Sequence, residues 1–128
     1  MCYVCGSKNP RGFRLKFKHP KKGILQTEFV FAEHYQGFKG IVHGGILATL
    51  LDEIMLNLTW TEGIPAVTAE MTIRLVKPAK TGKKIYFEGR LDEDKGRILK
   101  MSATAKDEKG QVLATATGAC VRMKIEVS

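Results

Sequence analysis

One stretch combines the residue types that hydrolytic or acyl-transfer chemistry needs: His43-Gly44-Gly45-Ile46-Leu47-Ala48-Thr49-Leu50-Leu51-Asp52-Glu53. Two adjacent glycines leave a helix N-terminus open, so its first backbone N–H groups can face a ligand oxygen. Asp52 stands seven residues beyond Gly45 among Leu, Ile and Met. A carboxylate in such surroundings is costly, and groups of that kind are often functional. Together the two features supply a donor for a developing oxyanion and an acceptor for a proton. Glu53, next in the chain, sits about 100° further round a helix and reads as a loop or interface residue. Neither His19 nor His34 has a partner at useful spacing, whereas His43 directly precedes the glycine pair. No Ser or Cys stands in a nucleophile elbow, which argues against serine-hydrolase chemistry.

The elements that must hold these groups are legible as periodicity. Gly45 to Thr61 reads as a helix in which Ile46, Leu47, Leu50, Leu51, Ile54, Met55 and Leu58 cover more than half of the circumference. Such a helix is buried on most sides, and Gly63 and Pro65 end it. Before it, Phe13 to Lys18 alternates apolar and basic residues like a half-buried strand, Pro20 and Gly23 bracket a turn, and Ile24 to Phe31 returns. Ala32 to Val42 reads as a glycine-containing loop, too irregular for strand or helix, of a length that often has a function. After the helix, Val67, Ala69, Met71, Ile73 and Leu75 alternate with Thr68, Glu70, Thr72 and Arg74, which puts Thr68 on the face opposite Met71 and Ile73. Lys84 to Leu91, Ile98 to Ala105 and Val112 to Val127 continue the sheet through short turns, so pairing is antiparallel. One buried helix with strands before and after it is an α+β layout. A sheet curled around that helix leaves open edges, and a dimer that joins sheets is expected.

Composition bounds the partners. The chain has 128 residues, 44% of them hydrophobic and 27% charged, as expected for one domain (1–128) with its own core. No apolar run approaches the roughly 18 residues that span a bilayer. A polar N-terminus and only three cysteines suggest a cytoplasmic protein without a disulfide framework or membrane association. The net charge of +8 invites an anionic partner. Its lysines cluster in turns without interleaved aromatics, so no stacking platform for nucleic acid is visible and none is expected as a partner. Cys2-x-x-Cys5 offers half of a zinc site, but the remaining ligands are missing from the sequence apart from a lone Cys120. No metal and no cofactor are expected, and the segment reads as structural.

With the His-Gly-Gly opening and Asp52 nine residues after His43, this layout resembles the hotdog-fold acyl-CoA thioesterases. It looks closest to the PaaI-like branch of the 4-hydroxybenzoyl-CoA thioesterase superfamily. The motifs that carry the resemblance are Gly40-x-x-His43-Gly44-Gly45, Leu50-Leu51-Asp52-Glu53, Thr72 to Pro78 with Gly82, and the last strand with Gly118. What the resemblance implies is hydrolysis of an acyl-CoA, with Asp52 as general base or nucleophile. It also implies the Gly45 backbone N–H as the group that polarises the thioester carbonyl, and the Thr68 hydroxyl as a holder of the water. His43, with Gly44, is implied to position the entrance loop or the thioester. Many such enzymes carry Asn six residues before the histidine; here Gly37 stands there, beside Gln36, which is the candidate replacement. Arg74, Lys77 and Lys80 are cations placed to meet CoA phosphates.

Spacing adds one constraint. Gly45 and Asp52 share a helix face but lie roughly 10 Å apart along its axis, too far to serve one carbonyl. The geometry works if Gly45 of one copy faces Asp52 of another, as in the shared sites of that family. A homodimer, and a dimer of dimers (homotetramer), is therefore expected. Two other readings have discriminating features. A hydratase or dehydratase of the same fold generally pairs a histidine with an acid on the helix, and no histidine follows Gly45. A non-catalytic acyl-CoA binder has no need of Asp52.

Overall fold

The computed structural model describes residues 15–32, 36–38 and 40–123, with only the backbone described at 36–38. Strands β1 (Lys18–Lys21), β2 (Ile24–Val30), β3 (Gln36–Phe38) and β4 (Ile41–Val42) precede helix α1 (Gly44–Thr61). Strands β5 (Ala66–Leu75), β6 (Lys84–Asp94), β7 (Ile98–Lys106) and β8 (Val112–Arg122) follow it. The main sheet has six strands in the order β1-β2-β6-β7-β8-β5, all paired antiparallel. Helix α1 packs across β2, β5, β6, β7 and β8, and this is the α+β arrangement of a sheet curved about one helix.

Side-chain size explains how the helix comes so close. Where it crosses the sheet, the inward positions of the central strands are Gly89, Ala103, Ala105, Ala114, Ala116 and Gly118. A Cβ on Gly89 would stand 3.1 Å from the Ile54 carbonyl oxygen, and one on Gly118 would stand 3.0 Å from the Glu70 carbonyl oxygen. Larger side chains fill the core from both sides: Leu47, Leu50, Leu51, Ile54, Met55 and Leu58 of the helix are buried, as are Leu25, Ile85, Phe87, Leu99 and Met101 of the sheet. Each such side chain contributes about 1.5–3 kcal/mol on burial. At its far end the Glu62 carboxylate caps the hairpin turn. Its Oε2 accepts from the Gly23 backbone N–H and lies 3.0 Å from His19 Nε2.

Three boundaries differ from those expected. The first strand is Lys18–Lys21 rather than Phe13 to Lys18. Leu15 and Phe17 still alternate onto the core, but they do so outside a strand, and Lys16 is tied in through its carbonyl, which accepts from Thr27 Oγ1 at 2.7 Å. The segment read as an irregular loop contains the small β3–β4 hairpin, with Gln36 opposite Val42. The last strand stops at Arg122 instead of running to Val127. Cys2 and Cys5 lie outside the described residues.

The strand β5 carries the correction that matters for function. Its register against β8 shifts between Thr68 and Glu70, so Ala69 is an extra residue, a β-bulge. A one-residue insertion reverses the alternation of every residue before it. Val67 is consequently 46% exposed, and Ala69 is exposed as well, although both were expected on the face of Met71 and Ile73. Thr68, expected on the other face, turns inward instead.

Candidate active site

The structure separates the proposed chemistry into two clusters at different heights of α1. The first is the N-terminus. His43 precedes the helix with φ −59° and ψ 131°, and its carbonyl accepts from Ile46 N at 3.0 Å and Leu47 N at 3.2 Å. Its imidazole Nδ1 accepts from the Gly45 N–H at 3.0 Å. The backbone donor singled out by sequence is thus covered by the protein's own side chain, an N-cap made by histidine in place of the usual hydroxyl or carboxylate. The glycines make this closeness feasible. A Cβ on Gly45 would lie 3.1 Å from the His43 ring, and one on Gly44 would lie 2.9 Å from Leu75 Cδ1. Around them opens a cleft of about 510 Å³ whose walls include His43, Gly44, Leu47, Leu75, Val76 and Lys77.

The second cluster lies two turns further along. Asp52 is half-buried, and its Oδ1 accepts from Thr68 Oγ1 at 2.9 Å. The Ala69 bulge brings this about, since without it the Thr68 hydroxyl would leave from the outer face of the sheet. Opposite Thr68 on β8 stands Cys120, fully buried and free. Burial pushes the Cys120 thiol above its ordinary pKa; a hydrogen bond with Thr68 opposes this, and the Asp52 charge adds to it. Thiol, hydroxyl and carboxylate therefore form one row. Glu53 is engaged within the helix, where Asn57 Nδ2 donates to its carbonyl at 2.7 Å and approaches Oε2 at 3.3 Å.

Of the residues singled out by sequence, Thr68 and Asp52 meet, and His43, Gly44, Gly45 and Lys77 gather at the other cluster. Arg74 does not join either: it pairs with Thr115 and is exposed on the outer face of the sheet. Gln36 lies in β3, and its side chain is outside the described residues. Sequence reasoning missed Cys120, Leu75 and the capping bond of His43. The alternation of small residues at Ala114, Ala116 and Gly118 continues to Cys120 and is the one signal that puts it on the inner face.

Comparison with known proteins agrees with this architecture. The thioesterase superfamily profile matches residues 39–114, which include His43, Gly44, Gly45, Asp52 and Thr68. The mouse acyl-coenzyme A thioesterase THEM4 is 36% identical over 78 residues, covering 59% of this chain and 34% of that protein. The chain thus spans about a third of the length of this relative. Among solved structures, a Streptococcus mutans protein bound to acetyl CoA superposes with a TM-score of 0.81 at 23% identity, covering 88% of this chain and 91% of that one. The PaaI protein of E. coli, from a phenylacetic acid degradation operon, gives 0.80 at 15% identity, covering 86% and 84%. Both structural likenesses are of fold, and the fold is the hotdog. By the match to its profile over more than half of its length, the chain belongs to the thioesterase superfamily.

Proposed function

We propose that the protein is an acyl-CoA thioesterase whose active site is shared between two copies of the chain. The observation that carries the reading is the hydrogen bond from Thr68 to Asp52, which aims a carboxylate into the sheet–helix seam two turns from an N-terminal donor. Superfamily membership and the names of the relatives support thioester hydrolysis as the reaction. In this reaction the thioester carbonyl oxygen replaces His43 Nδ1 on the Gly45 N–H, exchanging one hydrogen bond for another. The displaced imidazole lines the cleft beside the acyl group. Asp52 of the other copy takes a proton from water as its oxygen adds to the carbonyl carbon. The C–S bond then breaks, and the proton returns to the departing thiolate. Attack by Asp52 itself, followed by hydrolysis of the anhydride, is the nucleophilic variant of the same arrangement.

The second copy joins at the β5 edge. This strand ends the sheet, and the exposed Val67, Leu75 and Val76 lie along or just beyond it. An unpaired, apolar edge is a template for the same strand of another copy. A dimer of dimers would use the uncovered outer face of the sheet, where Ser102, Thr104, Thr115 and Thr117 alternate with the inward residues. We place the enzyme in the cytoplasm on its cysteine usage; among the described residues no helix is long and apolar enough to cross a membrane. Lys77, at the cleft, is the cation assigned to the CoA phosphates, while Arg74 faces the other way.

The test is thiol release from a panel of acyl-CoAs by wild type and by Asp52→Ala. Loss of about 10² or more in kcat is expected, the scale of a removed base. Undiminished turnover in the variant would discard the role of Asp52, and no turnover by wild type on any thioester would favour a non-catalytic acyl-CoA binder.

A further inference from the structure

A thiol stands directly behind the contact between Thr68 and Asp52. Thr68 pairs with Cys120 across the β5–β8 ladder, and the next pair is Glu70 with Ala119, so the bulge at Ala69 adjoins this contact. A bulge leaves its extra residue unpaired and loosens the ladder around it. Backbone pairing is thus least constraining beside the residue whose hydroxyl meets the carboxylate. Cys120 is fully buried, forms no disulfide and has Leu99, equally buried, opposite it on β7. The other inner positions along β8 are Ala114, Ala116 and Gly118, so packing by itself asks only for a small residue here.

Counting protons gives the row a direction. A threonine hydroxyl has one proton and two lone pairs. The Thr68 proton is committed to Asp52 Oδ1 at 2.9 Å, so toward Cys120 the same oxygen can only accept. The thiol can supply that donor. Burial and the Asp52 charge both hold it in the neutral S–H form, and a hydrogen bond joins it to Thr68. The chain therefore runs in one sense, S–H to O–H to carboxylate, and each link polarises the next. With a donor already facing it on one side, the hydroxyl is left to point its own proton at the carboxylate on the other.

Resting on the thioesterase reading above, we propose that Cys120 is a positioning residue for hydrolysis: its S–H donates to Thr68 Oγ1 and so fixes the hydroxyl proton on Asp52 Oδ1. Fully buried, it meets neither substrate nor solvent and acts through Thr68. Sulfur suits the place on both counts, since a cysteine packs like a small apolar side chain against Leu99 and still carries a weak donor. Without it, Thr68 Oγ1 loses its donor on that side and the hydroxyl is free to turn about its C–O bond. Asp52 is then held for a smaller part of the time, and the loss falls on the chemical step rather than on substrate binding.

The experiment measures acyl-CoA hydrolysis by Cys120→Ala, Cys120→Val and Cys120→Ser beside wild type. Alanine and valine keep the place apolar but carry no donor, and kcat is expected to fall about three- to tenfold, the scale of one hydrogen bond, at an unchanged KM. Serine restores a donor of the kind that pairs with threonine across strands, and kcat is expected to return to within about twofold of wild type. It does so although a hydroxyl suits a buried site less well than a methyl group. In the Thr68→Val background, Cys120→Ala should lower the rate no further. A cysteine that only packs gives the reverse order, with alanine active and serine impaired. That order, or an undiminished effect of Cys120→Ala in the Thr68→Val background, would overturn the assignment. The infrared S–H stretch reads the same contact without turnover. Subtracting the spectrum of Cys120→Ser from that of wild type isolates the Cys120 band from those of Cys2 and Cys5. In the matching pair carrying Thr68→Val, the band is expected at higher frequency, because its acceptor is gone. An unmoved band overturns the hydrogen bond and the proposal with it. A band that moves in a protein that hydrolyses no thioester keeps the thiol–hydroxyl bond and overturns the hydrolase.

Discussion

Replacing Thr68 by Val isolates the contact on which the site depends. Valine keeps the branched shape and the packing of the strand but removes the hydroxyl that donates to Asp52 Oδ1 at 2.9 Å. A hydrogen bond to a charged group contributes about 1.5–3 kcal/mol, and Asp52 is only half-buried, so the lower part of that range applies. About 1.4 kcal/mol corresponds to a tenfold change in rate, and the expected loss in kcat is therefore roughly tenfold. Thr68→Ser retains the hydroxyl and is expected to stay within about threefold of wild type. Thiol release at saturating acyl-CoA measures both. The decisive comparison is the double variant: once Asp52 is alanine, Thr68→Val has no carboxylate left to orient and should lower the residual rate no further. A Thr68→Val enzyme with wild-type kcat, or one whose effect persists undiminished in the Asp52→Ala background, would refute the claim that the hydroxyl acts through Asp52.

Two further expectations concern stability. Because burial raises the Cys120 pKa, the folded chain keeps its thiol proton where the unfolded chain has lost it, so this contribution is intact below the unfolded value and fades as pH rises. The gap in urea midpoint between wild type and Cys120→Ala should accordingly narrow above about pH 8.5; a gap that stays constant or widens up to alkaline unfolding contradicts this. Glu62→Ala removes the acceptor of the Gly23 N–H and the partner of His19 at 3.0 Å. It should lower stability by about 1–3 kcal/mol, read from chemical denaturation with an unchanged m-value, and a loss below about 0.5 kcal/mol would show that the hairpin does not lean on the helix end.

The helix and the four strands after it were legible because their patterns are strong and local: α1 is apolar round most of its surface, and hairpin-length turns leave β6, β7 and β8 only one pairing. The position of β1 was not, since Leu15 and Phe17 alternate onto the core without joining the ladder, and alternation alone does not separate the two cases. The Ala69 bulge was the larger obstacle. In the sequence, Val67, Ala69, Met71 and Ile73 keep perfect alternation across it, and the phase reversal is settled by register against β8, a non-local property. Thr68 was thus selected by resemblance while its face was read from periodicity, and the periodic reading failed. Cys120 was passed over for the same reason, as its neighbours Thr68 and Asp52 are brought to it by the fold from more than fifty residues away. The separation of Gly45 from Asp52, in contrast, follows from helix rise alone.

That separation makes a shared site the central claim, and complementation tests it most directly. Gly45→Pro removes the backbone N–H itself, at a first-turn position that makes no intrahelical bond, and the His43 ring, 3.1 Å from a Cβ placed there, must swing aside to admit it. Asp52→Ala removes the carboxylate. Each variant alone should be nearly inactive on acyl-CoA, whereas dimers reassembled from an equal mixture should regain on the order of a quarter of wild-type activity, since half of them carry one intact site. Mixed dimers that form, yet show no more activity than the two variants assayed separately, would contradict the account.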